Sequence, residues 1–265
     1  MPFGISLVRQ KGYENGYDEG YTDGYDFGEE QGYSDGYEDG GLLGYEQGYG
    51  EGLHIGNIEA YDAFWDSFQD NGNRVNYEKA FCGFTNDAFR PKYDIKPTHA
   101  YGLFWGCPMT IDLAARLEEL GIVLDLSNCG SGLGVNYIFG TSKFTRIGEV
   151  NATSMKNLAQ TFQACGNLVT IDKLILKDDG SQAFTSVFTG CYVLENIVIE
   201  GKIGEDAIFK DCTKLTDDSL MSIINALYDY SGTTTTKTLT LGTTNLNKLS
   251  DAKKAIATQK GWTLA

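Results

Sequence analysis

The chain has 265 residues, enough for one large or two small domains, and its 36 acidic and 21 basic residues give a net charge of −15. Sixteen of the acidic residues lie between Gly12 and Asn73, a stretch without Lys or Arg, and the remainder is close to neutral. Acidic surface repels phosphate backbones, which argues against a nucleic-acid partner. We find no segment apolar enough to span a membrane and no secretory signal, so we expect synthesis in the cytoplasm.

After a short N-terminal arm (1–11), a four-residue unit, Gly-Tyr-x-x, fills residues 12–56. The glycines of this repeat are Gly12, Gly16, Gly20, Gly24, Gly28, Gly32, Gly36, Gly40, Gly44, Gly48, Gly52 and Gly56, and the tyrosines that follow them are Tyr13, Tyr17, Tyr21, Tyr25, Tyr33, Tyr37, Tyr45 and Tyr49. Four residues advance about 400° in an α-helix, so each residue type forms a drifting stripe. A partner helix can stay in contact with such a stripe only if the two helices form a right-handed supercoil.

The glycine content of this segment argues against a single free helix. Each Gly costs roughly 0.8–1 kcal/mol relative to Ala inside a helix, so twelve cost on the order of 10 kcal/mol. Close approach of neighbouring backbones would offset this cost, with tyrosine rings covering the flanks. We therefore expect a homo-oligomeric helical stalk over 12–56, a trimer being preferred. A flexible acidic linker and an extended or β fibre are the alternatives.

A junction region (57–100) follows the repeat. Apolar residues at Ile58, Tyr61, Phe64/Trp65 and Phe68 share one helical face, and Asn71-Gly72 ends this predicted helix. The rest of the region is aromatic and rich in loops.

Residues 101–215 contain an internal repeat of the form F-x-x-C-x-x-L-x-x-I. Its copies are Phe162, Cys165, Leu168 and Ile171; Phe188, Cys191, Leu194 and Ile197; the shortened Phe209, Cys212 and Leu215; and a degenerate one through Phe139, Phe144 and Ile147. Each copy predicts a turn that carries Phe and Cys into the core and then a short strand. Stacked copies would align Phe on Phe and Cys on Cys, with the cysteines as buried, reduced thiols. Coincidental matches in an ordinary α/β domain are the alternative.

The C-terminal region (216–265) is predicted to be an α/β cap. Leu220, Ile223, Ile224 and Leu227 lie on one helical face after an N-cap at Thr216 or Asp217. A strand is predicted over 235–241, a helix over 250–259 that begins at Ser250-Asp251, and a last strand over 261–265.

The repeat resembles the BspA-type leucine-rich repeat over roughly Tyr137 to Leu215. This resemblance implies a right-handed solenoid with a parallel sheet on one side. The predicted fold class is therefore α+β: a long Gly-Tyr repeat helix, a short irregular leucine-rich-repeat-like solenoid, and the α/β cap.

A wider resemblance covers most of the chain. The FWD-x-F-Q-x-NG element that starts at Phe64, the FxxC repeats and the closing Lys260-Gly-Trp-Thr-Leu264 are similar to a group of virion-associated proteins from bacteriophages and prophages of Gram-positive hosts. The resemblance implies a structural component of a tail, baseplate or fibre, located in the virion. Its partners would be further copies of itself, other virion proteins and the host surface.

Catalytic patterns are weak. The two histidines, His54 and His99, lie near no nucleophile motif, and Gly130-Ser-Gly-Leu-Gly134 lacks the Lys-Ser/Thr of a phosphate loop. The acidic pairs Asp178-Asp179 and Asp217-Asp218 are better explained by turns and helix starts. We expect no enzymatic activity, no cofactor and no metal site. A bacterial leucine-rich-repeat surface adhesin and a filament that polymerises through the Gly-Tyr repeat remain the alternative functions.

Overall fold

The computed structural model describes residues 81–82, 89, 91, 93–98, 100–129 and 137–265. The N-terminal arm, the predicted stalk with its glycines and tyrosines, and the predicted helix that ends at Asn71-Gly72 lie outside the described residues, as do His54, His99 and the Gly130-to-Gly134 segment. The described residues belong to one compact unit, Val75–Ala265.

The described chain contains four helices and six strands. In order they are α1 (Leu113–Leu120), β1 (Arg146–Asn151), β2 (Thr170–Ile175), β3 (Asn196–Glu200), β4 (Ala207–Ile208), α2 (Asp217–Ala226), β5 (Lys237–Thr240), α3 (Gly242–Leu246), α4 (Asp251–Gln259) and β6 (Trp262–Leu264). The unit is therefore a mixed helix and strand fold.

The strands form two small parallel sheets, in the orders β1-β2-β3 and β4-β5-β6. In the first sheet, Ile147 pairs with Ile171 and Ile171 pairs with Ile197, so one apolar residue from each strand lies in a single row. A second row joins Val150, Leu174 and Ile199 across a bulge between β2 and β3. Every member of both rows is buried, and the two rows form one side of the core.

Local capping fixes where three of the helices start. Asp112 Oδ1 accepts from the Ala115 N–H at 2.8 Å at the start of α1. Thr216 Oγ1 and Ser250 Oγ accept in the same way from the third residue of α2 and of α4. Such side-chain acceptors satisfy main-chain donors that a helix leaves unpaired. Thr216, rather than Asp217, is thus the N-cap of α2, and the predicted helices and strands of the C-terminal region are all confirmed within two residues.

Successive segments of the chain approach closely between the two sheets. A Cβ added at Gly204 would lie 2.2 Å from the Gly180 carbonyl oxygen, so only glycine fits there. The neighbouring Tyr230 hydroxyl donates to the Gly204 carbonyl at 2.7 Å.

Candidate functional site

The centre of the described unit is a column of phenylalanine rings, which we call the Phe column. It consists of Phe81, Phe104, Phe139, Phe162, Phe188 and Phe209, each with essentially no exposed surface. Successive ring centroids are 4.9, 5.5, 5.3, 5.3 and 4.9 Å apart, and the three middle interplanar angles are 6° or less. Ring spacings near 5 Å match the distance between neighbouring parallel chain segments. The chain therefore contributes one ring each time it passes the column, and we call each such passage a turn of the repeat.

A ladder of thiols runs beside the Phe column. Each cysteine donates to the carbonyl oxygen of the phenylalanine one turn earlier: Cys165 to Phe139 at 3.0 Å, Cys191 to Phe162 at 3.0 Å, and Cys212 to Phe188 at 3.6 Å. All six cysteines in the chain are free thiols. These contacts give the thiol a directional role in joining successive turns, in addition to its packing.

The ladder has one non-cysteine member. Ser142 occupies the place after Phe139 that cysteine occupies after the later phenylalanines, and its hydroxyl lies 3.7 Å from Cys165 Sγ. Burial raises the pKa of the Cys165 thiol to about 12, so this thiol stays protonated at neutral pH. A buried, protonated thiol is a poor nucleophile, and the ladder therefore fits packing better than thiol chemistry.

The turns around the Phe column share an unusual backbone conformation. Among the residues that the structure describes, five non-glycine residues have a positive φ: Tyr137, Gln160 and Ser186, each two residues before a column phenylalanine, and Thr141 and Ala164, each two residues after one. Glycines occupy the same places in other turns, as at Gly102, Gly106 and Gly190. Left-handed backbone at these places aims a main-chain N–H at the next turn: Ala164 N–H donates to the Thr189 carbonyl at 2.7 Å. The left-handed residues are thus part of the repeat.

The C-terminal end of the ladder is closed by Asn245 of α3. This fully buried side chain donates from Nδ2 to the carbonyl oxygens of Phe209 at 3.5 Å, Cys212 at 3.1 Å and Leu241 at 3.2 Å. Its Oδ1 accepts from Lys248 Nζ at 3.1 Å. The Phe209 carbonyl is the one that a further cysteine would bond, so the amide takes the place of the next thiol.

The outer face of the β1-β2-β3 sheet is charged. Arg146 forms a bidentate pair with Asp172, at 2.8 and 2.7 Å, and also contacts Asp112 at 3.3 Å. Lys173 bridges Glu149 on β1 and Glu200 on β3. Each basic side chain thus links neighbouring segments, although half-exposed pairs of this kind contribute only about 0–1 kcal/mol each.

The predicted repeat-core residues come together in this region. Phe162, Phe188 and Phe209 are consecutive members of the Phe column, and Cys165, Cys191 and Cys212 are consecutive members of the ladder. Leu168, Leu194 and Leu215 are buried, and Ile171 and Ile197 pair across β2 and β3. The degenerate copy is also placed: Phe139 joins the column, Ile147 pairs with Ile171, and Phe144 packs edge-on to Phe104 with centroids 5.3 Å apart.

Sequence reasoning missed the first two rings of the column, Phe81 and Phe104, and the residues that close its C-terminal end. Phe104 and Cys107 have the same F-x-x-C spacing as the later copies, and that spacing was the available signal. Leu241 and Asn245, which end the stack, keep neither residue type. The acidic pairs Asp178-Asp179 and Asp217-Asp218 lie in a turn and at a helix start. Asp179 Oδ1 accepts from the Ser181 N–H at 2.9 Å, and Asp217 is the first residue of α2.

Two further observations concern ligands and membranes. Within the described part of the chain, no group of three or more His, Cys, Asp or Glu side chains is arranged to hold a metal ion. The helices over the same residues are all too short or too polar to cross a bilayer.

Comparisons with known protein families, with curated proteins and with solved structures found no match to this chain.

Proposed function

We propose that the protein is a non-enzymatic structural component of a bacteriophage particle, in its tail, baseplate or a fibre. The Gly-Tyr repeat would form the homo-oligomeric stalk, and the residues around the Phe column would form a leucine-rich-repeat-like head that contacts other virion proteins or the host surface.

The observation that carries the proposal is the use of the buried polar groups. Thr161, Gln182, Ser219 and Asn245 are buried, and each bonds to main-chain carbonyls. Gln182, for example, donates to the Ala152 and Met155 carbonyls and accepts from the Lys177 N–H. A functional polar group in an enzyme site faces a substrate, whereas these groups bond to the main chain of the protein itself. This chemistry suits a rigid spacer or contact module.

The proposed assembly element rests on the sequence. Twelve glycines at four-residue spacing suit close backbone approach between helices, and the sixteen carboxylates between Gly12 and Asn73 keep such an assembly soluble. Because the carboxylates of neighbouring copies repel one another, the oligomer should become more stable as salt is raised.

Sedimentation of the full chain tests the oligomer. Replacing Gly28, Gly32 and Gly36 by Leu raises helix propensity but fills the space that close packing needs, so we expect the variant to dissociate. The matched control carries Leu at Glu30, Ser34 and Glu38, which have the same spacing off the glycine line. An oligomer that survives the glycine substitutions unchanged would show that the glycine stripe is not the interface.

The location in a phage is tested separately. Mass spectrometry of purified particles should find the protein, and its gene should stand beside tail genes. A position beside secretion genes, with the protein on the bacterial surface, would favour the adhesin instead. Negative-stain images of the purified protein should show separate particles, each with a globular head on a thin stalk, whereas long filaments would favour polymerisation through the Gly-Tyr repeat.

A further inference from the structure

The edge of β3 that faces away from β2 is covered by the helix α2. β3 is the last strand of the β1-β2-β3 sheet, and the N–H groups of Ile197 and Ile199 point away from β2. Ile197 N–H donates to Ser219 Oγ at 3.0 Å, and Ile199 N–H donates to Ser222 Oγ at 2.8 Å. Both serines belong to α2, where they are three residues apart and therefore on one helical face.

The main-chain carbonyl just before β3 is also bonded by this part of the chain. The Glu195 carbonyl accepts from the Thr216 N–H at 2.9 Å and from Ser219 Oγ at 3.0 Å. Three main-chain groups between Glu195 and Ile199 are thus bonded by Thr216, Ser219 and Ser222. A strand edge needs partners of this kind, because unpaired N–H and C=O groups are a template for another chain.

The opposite edge of the sheet is covered by the segment before α1 and by α1 itself. Thr145 N–H donates to the Ile111 carbonyl at 2.9 Å, and Asp112 pairs with Arg146 as an isolated parallel bridge. Ala114 of α1 approaches Gly148 so closely that a Cβ there would lie 3.3 Å from the Ala114 Cβ. Each edge of this sheet therefore has another segment of the chain packed against it.

We propose that α2 is an edge guard: through Ser219 and Ser222 it occupies the line along which a fourth strand would add to the sheet. The strand that it keeps out is one from a second copy of this chain, whose β-strands carry the same apolar spacing. The hydroxyls of Ser219 and Ser222 act here as substitutes for the carbonyls of a neighbouring strand. The guard leaves self-association to parts of the chain outside the sheet.

The test compares full-length variants by hydrogen exchange and sedimentation. In Ser219→Ala/Ser222→Ala, the amides of Ile197 and Ile199 lose their acceptors, so we expect their exchange to accelerate about tenfold, as loss of one hydrogen bond implies. We also expect species larger than those of the wild type. Asn225→Ala, on the exposed side of the same helix, is the matched control, and Ser222→Thr should restore protection at Ile199.

Each other outcome decides against the guard. Unchanged exchange would show that the hydroxyls do not protect the edge. Faster exchange with an unchanged sedimentation profile would show that the serines satisfy the strand without excluding another one. Should the double variant fail to fold, Ser222→Ala alone applies both readouts at Ile199, because within the described part of the chain the Ser222 side chain bonds this amide alone.

Discussion

Ala164→Gly should stabilise the protein, although the same change usually destabilises. Ala164 lies two residues after Phe162 and has a φ of 57°, in the left-handed region. For an L-residue this conformation costs about 1–2 kcal/mol, and glycine adopts it without that cost. Glycine also loses more entropy on folding, which takes back about 0.4–1 kcal/mol. The net gain is then about 0.5–1 kcal/mol in the free energy of unfolding.

The surroundings of Ala164 add few other contributions to this free-energy difference. Its side chain is exposed, so removing the methyl group gives up little packing. Its N–H donates to the Thr189 carbonyl at 2.7 Å, a bond that glycine keeps. Urea unfolding followed by circular dichroism measures the difference, and the melting temperature should rise by about 1–4 °C.

Two matched variants test whether the change in the free energy of unfolding has the predicted sign. Ala255→Gly makes the same chemical change inside α4, where it should cost about 1 kcal/mol. Gly106→Ala makes the reverse change at a left-handed place, with the new Cβ at an ordinary 3.7 Å from Thr141 Oγ1, and should cost about 0.5–1 kcal/mol. If Ala164→Gly lowered stability as much as Ala255→Gly, the left-handed strain would not exist and the description of the turns would be wrong.

Three further outcomes follow from the core. Phe162→Ala, which removes a buried ring between two stacked neighbours, should cost about 3–5 kcal/mol in urea unfolding, whereas Gln163→Ala beside it should cost less than about 0.5 kcal/mol. Asn245→Leu should cost about 1–3 kcal/mol because the Phe209 and Cys212 carbonyls lose their donor, and a smaller loss would mean that the amide is dispensable. Burial raises the pKa of Cys165 and Cys212 from 9.0 to about 12, so the folded state keeps protons that the unfolded state releases. Stability should therefore hold below pH 9 and fall as the pH rises towards 12, and both thiols should resist iodoacetamide at pH 8 until denaturant is added; rapid labelling in native buffer would contradict this.

The middle of the repeat could be predicted from the sequence because its contacts recur at fixed spacing. Phe162 and Phe188 occupy equivalent places, and their copies differ at the positions between the shared apolar residues and cysteines, most of which are exposed or half-buried. The copy at Phe104 was harder to see, since 35 residues separate it from Phe139 and α1 lies within that interval. An inserted helix lengthens the turn without moving its ring out of the column.

Two features had no sequence signal. The left-handed backbone at Gln160 and Ala164 is imposed by the bonds between successive turns, and neither residue type favours that conformation. The serines of α2 had no signal either, because their role depends on the position of β3, which only the packed structure sets. Propensity rules describe a residue in its own segment, whereas these residues are fixed by a neighbouring one.

Where the repeat ends, side chains replace the main-chain partners that a further turn would supply. Asn245 supplies the donor that the next cysteine would bring to Phe209, and Ser219 supplies the acceptor that a fourth strand would bring to Ile197. Asp211 does the same one turn earlier, since its Oδ2 accepts from the Gly190 N–H at 2.9 Å, whereas the equivalent N–H of Ala164 donates to a main-chain carbonyl. Because each substitute satisfies one particular buried group, removing it should leave that group unpaired rather than allow the repeat to continue. These polar side chains therefore complete the hydrogen bonding of the last turns of the repeat.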